Sequence, residues 1–207
     1  MLTTERLTLR PFTSGDAEAF LGLAGDWDVA RMTSDIPHPL TSDDARVWLQ
    51  PSPGEARFAL VENGKLLGGA GYFQHSPGAV EVGFWLGRAH WGRGLATEAV
   101  KAVLGYGLLH DRQAAFTSSH FTDNPASGRV LVKLGFEPAG TARIHSTARG
   151  VDVAAICYEL SREAAQARLG ITAGAPAAVV SAPPATALAA GREGRLASLF
   201  GKFRRSA

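Results

Sequence analysis

The sequence predicts a mixed α/β (α+β) domain: a mostly antiparallel central sheet flanked by helices. Three observations carry this reading. Asn63-Gly64 stands between two apolar runs in "ARFALVENGKLLGGAGYF", a strong short-range signal for a β-hairpin. A second turn, "HSPGA" (75–79), precedes the apolar run "VEVGFWL" (80–86), so three strands should form an antiparallel meander. Beyond Gly94 the pattern changes to helix, strand, helix and then two further strands.

Element by element, "RLTLRPF" (6–12) alternates apolar and polar residues and stops at Pro11, which reads as a strand. "TSGDAEAFLGLAG" opens with cap-type residues and has helical spacing from about Asp16. "TSDDARVWL" (41–49) repeats that logic. Thr41 or Ser42 caps, acids fill the first turn, and Ala45, Trp48 and Leu49 make one face. After the meander a helix runs from Gly94 to about Leu109, "AAFTSSH" (114–120) is a strand, and "NPASGRVLVKLG" (124–135) is a helix. In that helix Asn124 is the N-cap, Pro125 takes the first helical position and Gly135 ends the run. Strands near 136–145 and 151–160 complete a domain that ends near Gly170. The Ala- and Pro-rich stretch 171–191 reads as a linker, and 192–207 as a basic, amphipathic tail. That tail is open to three readings: a solvated end, a segment docked on a protein, or one held at an anionic membrane surface.

Composition narrows the function classes. The 207 residues are 45% apolar, which suits one folded domain with a sizeable core. Net charge is +2, but residues 171–207 hold five basic groups against Glu193, leaving residues 1–170 with 16 Lys+Arg against 18 Asp+Glu. A general nucleic-acid binder carries its basic excess on the folded domain, so no specific nucleic-acid role is expected. The N-terminus lacks a signal-type apolar core and no run of about 18 apolar residues occurs, so neither export nor a membrane span is expected. Cys157 is the single cysteine; it precludes an intrachain disulfide, fits a reducing, cytoplasmic setting, and reads as a buried inert thiol within "VAAICYEL". His38, His75 and His90 lack metal-ligand spacing, so no metal site is expected.

The stretch "GFWLGRAHWGRGLATEAV" (83–100) concentrates the chemistry. Gly92, Gly94 and Ala96 keep large side chains away from the backbone just where a helix begins. The free first-turn N–H groups and the positive dipole end then face the same way, which suits a phosphate group. Arg93 and Arg88 could add counter-charge. Spacing alone also permits a plain strand–helix turn with glycines for packing. It does not match a dinucleotide fingerprint, which opens an early βαβ unit and has an acid about 20 residues later. Nor is there a Gly-Lys-Ser/Thr ending.

Taken together, "VEVGFWLGRAHWGRGLATEAV" and "TDNPASGRVLVKLGFEPAG" resemble the acetyl-CoA-dependent N-acetyltransferases of the GNAT superfamily. The likeness is greatest to the RimJ/RimL-type branch of ribosomal-protein N-terminal acetyltransferases. It extends over about residues 3–160, including "TERLTLRPF" and "LTSDDARVWL". The superfamily pattern Gln/Arg-x-x-Gly-x-Gly/Ala falls on Trp91, Gly92, Arg93, Gly94, Leu95 and Ala96, with Trp91 replacing the usual first residue. The resemblance implies a sheet that splays beside the strand ending at Leu86. It also implies acetyl-CoA as acetyl donor, with the diphosphate on the amides of Gly92, Arg93, Gly94, Leu95, Ala96 and Thr97. The pantetheine arm would lie along Phe84, Trp85 and Leu86. An amine acceptor, either a peptide N-terminus or a small amine, is implied, and a homodimer is a family-based expectation.

Acetyl transfer to an amine needs a base for the ammonium proton, a stabilised oxyanion and a departing thiolate. Glu81 is the candidate base: an acid in the most apolar strand, where burial would raise its pKa. Alternation alone also permits a solvent-facing glutamate. The tyrosine that protonates the thiolate in many superfamily members would fall at Leu131, so that acid is missing and Ser127 is the candidate in its place. Asn124 resembles a coenzyme-contacting asparagine and is also a sufficient N-cap. Trp27, Met32 and Trp48 border the acceptor side by resemblance, and by spacing alone could be core. The missing tyrosine leaves a non-catalytic coenzyme-A-binding module as the alternative.

Overall fold

The computed structural model describes residues 1–76, 79–110 and 115–171; the segments expected as linker (from 172) and tail lie outside the described residues. Eight strands form one sheet in the order β1-β2-β3-β4-β5-β6-β8-β7. They are β1 (Leu2–Thr3), β2 (Thr8–Arg10), β3 (Glu55–Glu62), β4 (Lys65–Ser76), β5 (Ala79–Leu86), β6 (Ala115–Phe121), β7 (Glu137–Ser146) and β8 (Val151–Ser161). The helices are α1 (Ala17–Ala24), α2 (Trp27–Ala30), α3 (Ser42–Trp48), α4 (Leu95–His110), α5 (Pro125–Lys133) and α6 (Arg162–Leu169). Every strand pairing is antiparallel except β5–β6.

The meander forms because its turn chemistry demands it. Asn63 (φ 51°) and Gly64 (φ 77°) join β3 to β4 with positive φ at both turn positions, as a two-residue hairpin of matching twist requires. α3 is capped by Thr41, whose hydroxyl accepts from the Asp44 N–H while the Asp44 side chain returns to the Thr41 N–H. α5 begins as expected, with the Asn124 side chain accepting from the Ser127 N–H at 3.4 Å, and Gly135 follows it at φ 92°.

Three expectations need correction. The strand foreseen over 6–12 is only Thr8–Arg10, because Arg10 turns onto Asp16 and Pro11 has no N–H for a ladder; a two-residue β1 pairs with it instead. The helix α2 is a single turn capped by Asp26, too short to leave a periodic signal. A further helix, α6, follows β8, capped by Ser161 and ended by Gly170 in the left-handed region.

The sheet separates two apolar layers. α4 lies on one face against Val80, Val82, Leu60 and Phe116, and the other face is covered by α1 to α3 through Phe20, Ile36, Ala45 and Trp85. β5 and β6 are parallel and pair only through Ala79–Glu81 and Ala115–Thr117, although β5 continues to Leu86 and β6 to Phe121. Beyond Glu81 the two strands part, and the opening connects the two faces.

Candidate active site at the strand gap

The gap is built from β5 and β6 together. Residues on a strand alternate the direction of their N–H and C=O groups as they alternate their side chains. On β5 the carbonyls of Val80 and Val82 turn toward β6, where they accept from the Thr117 and Ser118 hydroxyls at 3.3 and 2.8 Å. The Leu86 carbonyl turns the same way and accepts from the Trp91 indole N–H at 2.8 Å. Gly87 N–H points to β4, bonding the Leu67 carbonyl. The alternation therefore directs the main chain of Phe84 into the gap. It directs that of Trp85 to β4, where a β-carbon on Gly68 would come within 2.2 Å of the Trp85 carbonyl oxygen. Of the three residues expected along an extended arm, Phe84 and Leu86 face the opening and Trp85 does not.

At one end of the gap lies the glycine turn. Gly92 (φ 74°) and Gly94 (φ 79°) both occupy the left-handed region, and this conformation, not crowding, requires glycine. α4 begins at Leu95, so the amides from Gly92 to Thr97 gather at the start of a 16-residue helix. The Leu95 side chain is fully buried, which leaves only its main chain for a ligand. Glu98 fixes this turn to the N-terminal segment, accepting from the Arg6 N–H, the Arg6 Nε and the Thr4 hydroxyl at 2.8, 2.7 and 2.6 Å. Both arginines foreseen as counter-charge are engaged in ion pairs. Arg93 bonds both Glu62 oxygens at 2.8 and 2.9 Å, and Arg88 pairs with Asp28 at 3.1 Å.

At the other end is a cavity of about 500 Å³, lined among others by Glu81, Phe84, Ser118, Ser119, Asn124 and Ser127. Glu81, Gly83 and Trp85 share the face of β5 that bears α1 to α3; on that face Gly83 pairs with Gly71, giving a floor without side chains. Burial pushes the Glu81 carboxyl up to about 7, opposed by a hydrogen bond from the Ser119 hydroxyl at 3.3 Å. Asn124 and Ser127 reach the cavity from the first turn of α5, while Leu131 is fully buried in the core. Met32 and Trp48 line the cavity and Trp27 does not; it is exposed and lies edge-on to His38.

The structure adds residues that sequence reasoning missed. Ser118 and Ser119 sit in the run "TSSH", where three small polar residues in a predicted strand were the available signal. Asp35, Glu55 and Arg57 form the outer wall. Arg57 lies over the Trp48 ring at 4.5 Å, donates to the Trp48 and Gln50 carbonyls and pairs with Glu55 at 2.7 Å. Trp48 donates its indole N–H to Asp35 at 2.8 Å. Cys157 is half-buried, not fully buried, and burial with the charges of Glu81 and Glu159 pushes its thiol up, so it is held protonated. Among the described residues no group of three His, Cys, Asp or Glu could hold a metal ion.

Residues 6–137 match the acetyltransferase (GNAT) domain family. The chain belongs to the GNAT acetyltransferase family. A relative from Bacillus licheniformis, described as an uncharacterized N-acetyltransferase, is 31% identical over 159 residues, covering 72% of this chain and 89% of its own. The GNAT fold recurs in the structure of RimL, a ribosomal L7/L12 alpha-N-protein acetyltransferase in complex with coenzyme A (TM-score 0.67, 16% identity, covering 79% of this chain and 98% of that one). It recurs equally in spermidine N-acetyltransferase from Vibrio cholerae in complex with coenzyme A and spermine (TM-score 0.67, 17% identity, 77% and 98% covered). As a GNAT protein the chain is an acyltransferase with acetyl-CoA as its acetyl donor.

Proposed function

We propose that the strand gap is where the thioester of acetyl-CoA meets a primary amine, with Glu81 as the general base. The carrying observation is that Glu81 and Ser127 line one cavity beside the open edge of Phe84, although 46 positions separate them in sequence. The acceptor amine arrives protonated. Glu81 takes that proton, directly or through water, and a carboxyl titrating near 7 is suited to do so at neutral pH. The neutral amine then attacks the thioester carbonyl, and the Phe84 N–H facing the gap is a donor for the arm or for the developing oxyanion. Ser127 stands where a hydroxyl could meet the departing thiolate. Phe84 and Leu86 serve the arm through their main chain, and Trp85 shapes the acceptor side with its ring. The amides of Gly92, Arg93, Gly94, Leu95, Ala96 and Thr97 hold the diphosphate; their place at the start of α4 supports this role. Asn124 is given the same cofactor-facing place as its neighbour Ser127.

The acceptor is a protein N-terminal α-amine or a small amine, and we place the chain in the RimJ/RimL-like branch. That placement is supported by "TERLTLRPF" and by tryptophan at position 91 of the glycine motif. A cytoplasmic location and a homodimer belong to the same reading. The location is supported by the single cysteine, and no helix among the described residues is long and apolar enough to cross a membrane. The deciding experiment measures free thiol released from acetyl-CoA with Ser-, Ala- and Asp-initial peptides beside amino acids, polyamines and other small amines. Acceptor-dependent release with wild type, abolished in Glu81→Gln, supports the proposal; acceptor-dependent release unaffected by that substitution contradicts it.

A further inference from the structure

Met32, Thr33, Ser34 and Asp35 form one wall of the cavity; they belong to the segment 31–35, which follows α2 and has no regular secondary structure. Its carbonyls have no ladder partners and are met instead by the turn between β7 and β8. The Arg149 Nε donates to the Arg31 carbonyl at 2.8 Å, and the Thr147 N–H and hydroxyl both donate to the Ser34 carbonyl at 3.0 and 2.8 Å. The Ser146 hydroxyl reaches the Thr33 carbonyl at 3.4 Å, and Arg149 Nη2 lies 3.6 Å from the sulfur of Met32. Four of these five contacts depend on side chains that a β-turn does not need for its own formation.

Asp123 stands at the centre of this arrangement. Arg149 grips its two oxygens at 2.9 and 3.1 Å in a fork, and Arg31 approaches at 3.6 Å from the wall itself. Arg31 in turn pairs with Asp28 at 3.2 Å, and Asp28 with Arg88 at 3.1 Å, so five charges of alternating sign run from the turn before the glycine motif to the β7–β8 turn. Arg149 also lies over the Phe121 ring at 5.1 Å. Asp123 immediately precedes Asn124 and the helix that carries Ser127. One carboxylate therefore joins the end of β6, the donor side of the cavity, to the wall on its acceptor side. Isolated exposed ion pairs contribute little, but a forked arginine–carboxylate contact within a network fixes geometry as well as charge.

We propose that Asp123 is a positioning residue for the acceptor: held by Arg149 and Arg31, it fixes the segment 31–35 as the wall against which the amine is presented. This inference rests on the cavity being the acceptor site, and its test has one arm that does not. In Asp123→Asn and Arg149→Lys, hydrogen exchange of the 31–35 amides should quicken by about tenfold relative to wild type, as loss of a coupled contact of this kind allows. Amides of β5 and the calorimetric affinity for acetyl-CoA should stay unchanged, which also shows that the variants fold. In turnover, the KM for the amine should rise by about tenfold while the KM for acetyl-CoA stays within about twofold, and the double variant should be no worse than either single one. Unchanged exchange in 31–35 would overturn the latch even in a protein that acetylates nothing tested. Faster exchange with an unchanged amine KM, or additive effects on both KM values, would overturn its role in presenting the acceptor.

Discussion

Glu81 is the residue on which the proposed chemistry turns, and its environment makes two opposite demands. The carboxyl is half-buried beside the gap and poorly solvated, so its charged form is disfavoured, while the Ser119 hydroxyl favours that form. Its pKa is raised from 4.5 to about 7, so the folded protein binds a proton there that the unfolded chain releases. The stability from this proton is fully present below pH 4.5 and is lost as pH rises through about 7. Glu81→Gln removes the poorly solvated charge, so above neutral pH it should be more stable than wild type by on the order of 1–3 kcal/mol, read by denaturant unfolding. Activity should move the other way. Turnover should fall by about 10²- to 10⁴-fold with acetyl-CoA affinity unchanged. Ser119→Ala removes a hydroxyl donor that lowers the Glu81 pKa, so the acid limb of kcat/KM should move to higher pH, which a pH–rate profile reads directly. The candidate base was legible as an acid in an apolar strand. Ser119 was not, because its partner is set by the pairing of β6 beside β5.

At the scale of elements, the parts that announced themselves were those with local chemistry: the Asn63-Gly64 hairpin, the Thr41 capping box, the Asn124-Pro125 helix start and the glycine turn before α4. α6 was missed although Ser161 caps it, because "REAAQARL" has almost no apolar stripe and buries only Ala165 fully. The parting of β5 from β6 was known from family resemblance alone. No local signal marks where a parallel pairing stops; here it stops after Glu81 and Thr117, beyond which the Ser118 hydroxyl takes the Val82 carbonyl. The glycine turn is the element most sharply testable. Gly94 lies at φ 79°, and a β-carbon there would meet only Arg6 Nη2 at 3.6 Å. Gly94→Ala should therefore cost about 1–2 kcal/mol through backbone strain alone. Gly94→Leu should additionally weaken coenzyme A binding by about tenfold or more in calorimetry, by intruding on the amides at the helix start. Equal affinity in all three proteins would remove the diphosphate from that turn.

For the molecule as a whole, one sheet divides two layers and the gap is the passage between them. In the proposed function the coenzyme is bound by main chain at the start of α4, and the amine is received by side chains from β3, β5, β6 and the segment 31–35. This division explains why the donor half was readable in sequence and the acceptor half was not. Main-chain cradles need glycines at fixed spacing, whereas Asp35, Glu55, Arg57 and Asp123 converge only after folding. The last described helix ends at Gly170 and Ile171 packs against the core; we propose that the folded domain ends there. A chain ending at residue 171 should thus melt with the full-length protein and acetylate at the same rate, checked by calorimetry and thiol release. A large loss of either would place part of the domain beyond that point. The most direct test of the central claim is kcat/KM for acetyl transfer measured from acid to alkaline pH in wild type and Glu81→Gln. A rise through a midpoint near 7 in wild type, flattened and lowered in the variant, is the result predicted; superimposable profiles would contradict proton removal by Glu81 at the strand gap.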